Sequence, residues 1–308
     1  MRRRQPVSLL AKSRRRGLIV YGNCQADAIA LALGRDPVVT SIFDVRYCRS
    51  FNHPTEGMMT FPEDVVRRCA ILCEQHDRET FPKRDLLPDD CVTVKFPSVD
   101  CNALWPFNCV NPYNAPELPV FPYGRFAYGD RVIVAAVDRG MTGSEALEYY
   151  LEGWETYKID LDRLLKLEAA RLAARDSHCD VKMADAIVER FRKERLFWTV
   201  NHPTTVLLRE LIEKLLSCCG VAYPVIEDAD MDATLQMHFP PAGPLGIIGV
   251  PIHPKVAEHF QLEWYDPGER YCLWDGSAYS YREYFKAMID HAFSMKARPE
   301  LLAPTQVR

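Results

Sequence analysis

The sequence predicts an α/β N-terminal subdomain with a short parallel sheet, merged into a mainly α-helical remainder with long ordered loops. Three observations carry that fold class. Apolar runs of strand length recur through the first third of the chain, separated by helix-length segments, as in a parallel sheet buried on both faces. Beyond residue 140 the apolar spacing becomes helical. With 308 residues and 48% hydrophobic content, the chain can bury one large core or two intimately packed ones.

Residues 1–16 hold Arg2-Arg3-Arg4 and Arg14-Arg15-Arg16. Like charges repel, so they read as a basic flexible tail; peripheral contact with anionic lipid or a partner is the alternative. Residues 17–140 form the predicted α/β subdomain, and 141–308 the mainly helical part, packed with it as one unit. "GLIVYG" (17–22) is the first strand, and "CQADAIALALG" sets Ala28, Ile29, Ala32 and Leu33 at helical spacing before Gly34. "PVVTSIFDV" (37–45), "CAILCEQ" (69–75) and "CVTVKFP" (91–97) repeat the short β-branched theme and are read as further strands. Residues 98–130 are rich in Pro, Asn and aromatic residues. Trp105, Phe107, Tyr113, Phe121, Tyr123, Phe126 and Tyr128 argue for an ordered loop lining a pocket rather than for disorder.

Helices then follow. A capping box, Thr142-x-x-Glu145, opens "GSEALEYYLEGW", and Asp160 opens "LDRLLKLEAARLAA". The pattern breaks at "DSHCD" and resumes as "VKMADAIVERFRKERLFW". "PTTVLLRELIEKLLSCCG" has Pro203 at its first helical position, and Ser280-x-x-Glu283 caps the last helix. "FPPAGPLGIIGVPIHP" between them reads as irregular.

A net charge of −4 and a pI near 6.1 give no electrostatic case for nucleic acid. No stretch reads as a signal peptide or approaches the ~20 apolar residues of a membrane span, so a cytoplasmic location is expected. The eleven cysteines contain no CxxC pair and read as reduced thiols, with no metal site. Strand alternation is expected to hold Cys69 and Cys73 on the same side of a core strand.

Chemistry points to the first strand-to-helix corner, Gly22-Asn23-Cys24-Gln25. Ligands bind outside the carboxyl ends of parallel strands, and a helix N-terminus favours thiolate over thiol. Cys24 is therefore a candidate nucleophile, with a pKa expected below that of a free thiol. A capping Asn23 followed by a core cysteine is the alternative. Gly22 permits the tight turn, and Asn23 and Gln25 offer amide donors for an oxyanion. His202, before Pro203 and beside Asn201, is expected at a helix N-cap, where it could serve Cys24 as base. A histidine that only caps a helix is its alternative. Gln75, Asn102 and Asn201 join the candidate substrate-positioning set.

The "GNCQ" corner, "VKFPSVDCNALWP", "YGD" at 128–130 and "NHP" at 201–203, in this order, resemble the WcbI-type polysaccharide-biosynthesis proteins. The resemblance covers nearly the whole chain. It implies a coenzyme A-dependent O-acetyltransferase acting on a sugar or polysaccharide precursor in capsule assembly, alongside other assembly proteins. Coenzyme A or acetyl-CoA would then need cations and apolar walls, for which Lys95, Phe96, Pro97, Arg125, Tyr128, Arg131 and Arg139 are candidates. More distantly the arrangement is similar to SGNH hydrolases, with Cys24 in the serine position. Thr199 stands where an aspartate would orient the histidine, which leaves the orienting group unassigned. A carbohydrate esterase and a non-catalytic CoA- or sugar-binding assembly subunit are the competing functions.

Overall fold

The computed structural model describes residues 15–53, 56–76, 78–141, 143–221 and 248–302. Strands β1 (Arg16–Gly22), β2 (Phe43–Arg49), β3 (Cys69–Gln75) and β4 (Val92–Phe96) form one parallel sheet in the order β2-β1-β3-β4. The order reverses between β1 and β3. In open parallel sheets that reversal opens a crevice at the carboxyl ends of the two strands.

Residues Leu18, Ile19 and Val20 are fully buried because both faces are covered. On one face Leu18, Val20, Ile71 and Phe96 pack with Ile29 and Leu33 of α1 (Cys24–Leu33) and with Leu208, Leu211 and Leu215 of the helix Thr205–Cys218. On the other, Ile19, Tyr21 and Leu72 meet Phe61, Val66 and Phe81. The first core thus joins residues from both sides of position 140.

Four local expectations are corrected. "PVVTSI" is a helix, α2 (Pro37–Ile42), because Asp36 accepts from the Val39 N–H at 2.8 Å and Pro37 sits in its first turn; the strand begins only at Phe43. Cys69 and Cys73 lie on opposite faces of β3. The register passes from Gly17 opposite Cys69 to Leu18 opposite Ile71, so Ala70 is an extra residue that inverts the alternation. The pattern after "DSHCD" gives only the short helix Ala184–Arg190, followed by strand Phe197–Thr199. Pro203 is extended in the strand His202–Pro203; Thr204 occupies the cap position and the helix runs Thr205–Cys218.

The 98–130 segment is ordered and does more than line a pocket. Strands β5 (Asn108–Val110) and β6 (Tyr128–Asp130) pair antiparallel. Phe107, Tyr113, Phe121 and Phe126 build a second core with α4 (Arg131–Asp138), the helix Gly143–Glu152 and the last helix, Tyr281–Lys296. Asp130 caps α4 by accepting from the Val132 and Ile133 N–H groups. Ser280 and Glu283 form the expected capping box. Thr142 and most of "FPPAGPLGIIGVPIHP" lie outside the described residues. The eleven cysteines are free thiols. Among the described residues no helix is long and apolar enough to cross a membrane.

Candidate active site

The corner after β1 is built from a closed set of amide contacts. A Cβ on Gly22 would lie 2.6 Å from Gln75 Oε1 and 2.9 Å from Ala26 Cβ, so only glycine fits. Asn23 caps α1, its side chain accepting from the Gln25 N–H at 2.9 Å, while its own N–H donates to Gln75 Oε1 at 2.9 Å. Gln75 Nε2 donates to Gln25 Oε1 at 3.2 Å.

Gln25 is wholly buried and binds three segments together. Its Nε2 donates to the Val99 and Asn201 carbonyls, each at 2.7 Å, and its Oε1 accepts from the Val99 N–H at 3.0 Å. A further backbone bond, Cys101 N–H to the Val200 carbonyl at 2.8 Å, fastens the same segments. This lattice brings His202 to the carboxyl edge of the sheet. Cys24, one residue before Gln25, turns the other way and opens onto a cavity of about 480 Å³. Its polar wall contains Asn23, Cys24, Asp27, Arg78, Tyr128, Asn201 and His202. Phe51, Tyr123 and Trp274 supply aromatic surface.

The Tyr128 hydroxyl donates to Asn201 Oδ1 at 2.7 Å and lies 3.1 Å from His202 Nε2. Thr199, opposite His202 in the strand pair, donates to Asn201 Oδ1 at 3.4 Å. Cysteine, imidazole, phenol, amide and guanidinium thus line one cavity at the sheet's switch point. A family comparison then decides what this corner belongs to: residues 17–224 match the WcbI polysaccharide biosynthesis enzymes.

The chain belongs to the WcbI family.

A solved structure of WcbI itself, described as a novel polysaccharide biosynthesis enzyme, shares the fold. The TM-score is 0.67 at 20% identity, covering 94% of this chain and 97% of that one. That structure is the native protein without a disulfide bond between coenzyme A and one of its cysteines. No protein with a curated description matches the chain.

In this WcbI-family chain burial outweighs the helix terminus at Cys24. Desolvation pushes the thiol up to about 11, against the smaller lowering effects of Arg78 and the Gln25 N–H. The expected thiolate is therefore a thiol at neutral pH. Burial also raises Asp27, with Arg49 opposing it, and pushes the Tyr128 phenol above its ordinary value.

The sequence-named residues divide sharply. Cys24, His202, Asn23, Asn201 and Tyr128 line the cavity. Gly22, Gln25 and Gln75 lie beneath it; both amide hydrogens of Gln25 are engaged, so it is not an oxyanion donor. Asn102 is held by Glu168, its N–H donating at 2.7 Å, apart from the cavity wall. The cofactor candidates other than Tyr128 are not in the wall. Lys95 is exposed on β4, while Phe96 and Pro97 are buried, Phe96 in the first core. Arg125 stacks on Phe121 at 4.2 Å and pairs with Glu117 at 3.0 Å. Arg131 is exposed and reaches the Asn108 carbonyl at 3.5 Å, and Arg139 donates to the Tyr149 hydroxyl at 3.0 Å. Among the described residues the wall's cation is Arg78, which sequence reasoning missed together with Asp27, Phe51 and Trp274. Arg78 follows the carboxyl end of β3, the second strand of the switch point. The rule that singled out Cys24 would have found it there as well.

Proposed function

We propose that this protein moves an acetyl group from acetyl-CoA to a sugar hydroxyl during polysaccharide assembly, with Cys24 as acyl carrier and His202 as base. The observation that supports this reading is the shared wall: Cys24 and His202, from distant parts of the chain, border one cavity of about 480 Å³. The coenzyme A named with the WcbI structure supplies the thioester class. Arg78 suits its phosphates, and the rings of Phe51, Tyr123 and Trp274 suit adenine and pantetheine.

Because burial keeps Cys24 protonated, the relay needs a base. His202 takes the thiol proton as the sulfur attacks the acetyl carbon. The carbon–sulfur bond to CoA breaks, and the departing CoA thiolate takes that proton. In the second half His202 takes the proton of the sugar hydroxyl, the oxygen–acetyl bond forms, and Cys24 leaves and is reprotonated. The first exchange trades one thioester for another and is close to neutral in energy. The second, thioester to ester, runs downhill. Base catalysis of this kind typically contributes ~10²–10⁴-fold.

Acid quenching after mixing with radiolabelled acetyl-CoA, without sugar, tests the relay. Label is expected on the Cys24 peptide and is expected to vanish in Cys24→Ala. Transfer to sugar without such label means direct attack by the hydroxyl. Acetate release from an acetylated sugar with no CoA requirement means an esterase. Unchanged transfer by a folded Cys24→Ala/His202→Ala double variant means that this chain is not the catalyst.

A further inference from the structure

We propose that Tyr128, anchored by Asn201, is the positioning residue of His202, holding Nε2 through a neutral hydroxyl where a hydrolase triad holds Nδ1 through an aspartate, so that Nδ1 is the nitrogen left to accept a proton. The catalytic part of this inference rests on the reading above; the positioning part stands on geometry alone.

A phenol has one hydrogen to donate. Tyr128 gives it to Asn201 Oδ1 at 2.7 Å, so the 3.1 Å contact is made by the Nε2–H of His202 donating into the phenol oxygen. That fixes the imidazole as its Nε2–H tautomer. The two rings meet edge to face, with centroids 5.8 Å apart and planes at 85°, which restricts rotation of the imidazole about its own axis. Asn201 is held in turn. Its carbonyl accepts from Gln25 Nε2 at 2.7 Å, and its Oδ1 also accepts from Thr199 at 3.4 Å. The direction of the Tyr128 hydrogen is thus set by a chain of contacts leading to the buried Gln25.

Two further points separate positioning from other roles for Tyr128. Burial pushes the phenol above its ordinary value, so it stays protonated and is not itself the base. A neutral acceptor also stabilises an imidazolium less than a carboxylate does, since charge-assisted hydrogen bonds are roughly twice as strong as neutral ones. The hydroxyl therefore acts on the orientation of the ring rather than as a counter-charge to it.

The test reads the ring directly. Nitrogen-15 shifts of His202, assigned by their loss in His202→Gln, report which nitrogen carries the proton. The full-length protein is expected to show the Nε2–H pattern. Tyr128→Phe should show averaged tautomers, with kcat for acetyl transfer down about 10- to 100-fold and KM for acetyl-CoA within about twofold. Asn201→Ala frees the Tyr128 hydrogen to donate to Nε2 and should move the population toward the Nδ1–H form. That second variant keeps the proposal testable if Tyr128→Phe fails to fold. An unchanged His202 tautomer in either folded variant overturns the proposal. Shifted tautomers in a protein that transfers no acetyl group overturn the proposed function and leave the positioning intact.

Discussion

Cys24 and Gln25 are neighbours in the first turn of α1, and their surroundings are opposite. Gln25 has no exposed surface, and its amide group meets Val99, Asn201 and Gln75. Cys24 borders a cavity with Tyr128, Asn201 and His202. Polar groups whose hydrogen bonds are completed inside the protein hold the corner's shape. Polar groups on the wall are presented to whatever enters. One residue of helical rotation separates scaffold from chemistry.

The contrast is broken most severely if wall substitutions unfold the protein or lattice substitutions leave it untouched. Cys24→Ala and His202→Ala should each reduce acetyl transfer by about 10²–10⁴-fold; the urea midpoint should stay at its wild-type value in Cys24→Ala, and His202→Ala should cost about 1 kcal/mol for the lost ring contact with Tyr128. Gln25→Ala should do the reverse in origin. It strands the Val99 N–H and the Val99 and Asn201 carbonyls. A buried group left without its partner costs about 1–3 kcal/mol, so a loss of about 3 kcal/mol is expected in urea denaturation. Activity should fall only as His202 loses its support.

Smaller effects sharpen the electrostatic side. With its thiol pushed up to about 11, Cys24 should react with iodoacetamide about tenfold faster for each unit of pH from about 7 to about 10, since only the thiolate attacks. Peptide mass spectrometry follows this site by site. A rate already level near neutral pH would mean that the helix terminus outweighs burial after all. Smallest is the pair of arginine variants. Arg78→Ala should weaken CoA binding in calorimetry by about 5- to 20-fold, the loss of one charge-assisted contact. Arg139→Ala, whose partner is Tyr149 outside the cavity, should leave affinity within about twofold.

The legible part of the site was its local part. Glycine, a capping Asn and a cysteine at the end of an apolar run define a strand-to-helix corner, and the ligand-binding edge of a parallel sheet follows from that. The cation candidates lie outside the cavity wall for a matching reason. Lys95, Arg125, Arg131 and Arg139 flank the aromatic loop in sequence, yet much of that loop turns inward. Phe107, Tyr113, Phe121 and Phe126 form a core with α4 and the last helix, and Arg125 is paired with Glu117. At "PVVTSI" β-branched composition suggested a strand, and the Asp36 cap with Pro37 decided for a helix. The bulge at Ala70 inverted an alternation that residue types alone do not reveal.

By itself the sequence determined the α/β class, the corner at residues 22–25 and the pairing of Cys24 with His202 as candidates, because strand runs, helix caps and tight turns act through neighbouring residues. Tertiary structure alone decided that Gln25 draws Asn201 and His202 to that corner, that Arg78 rather than a later arginine faces the cavity, and that Cys24 is held as a thiol. Those outcomes depend on distant segments meeting and on water being excluded where they meet, and neither is encoded in any single stretch of the chain.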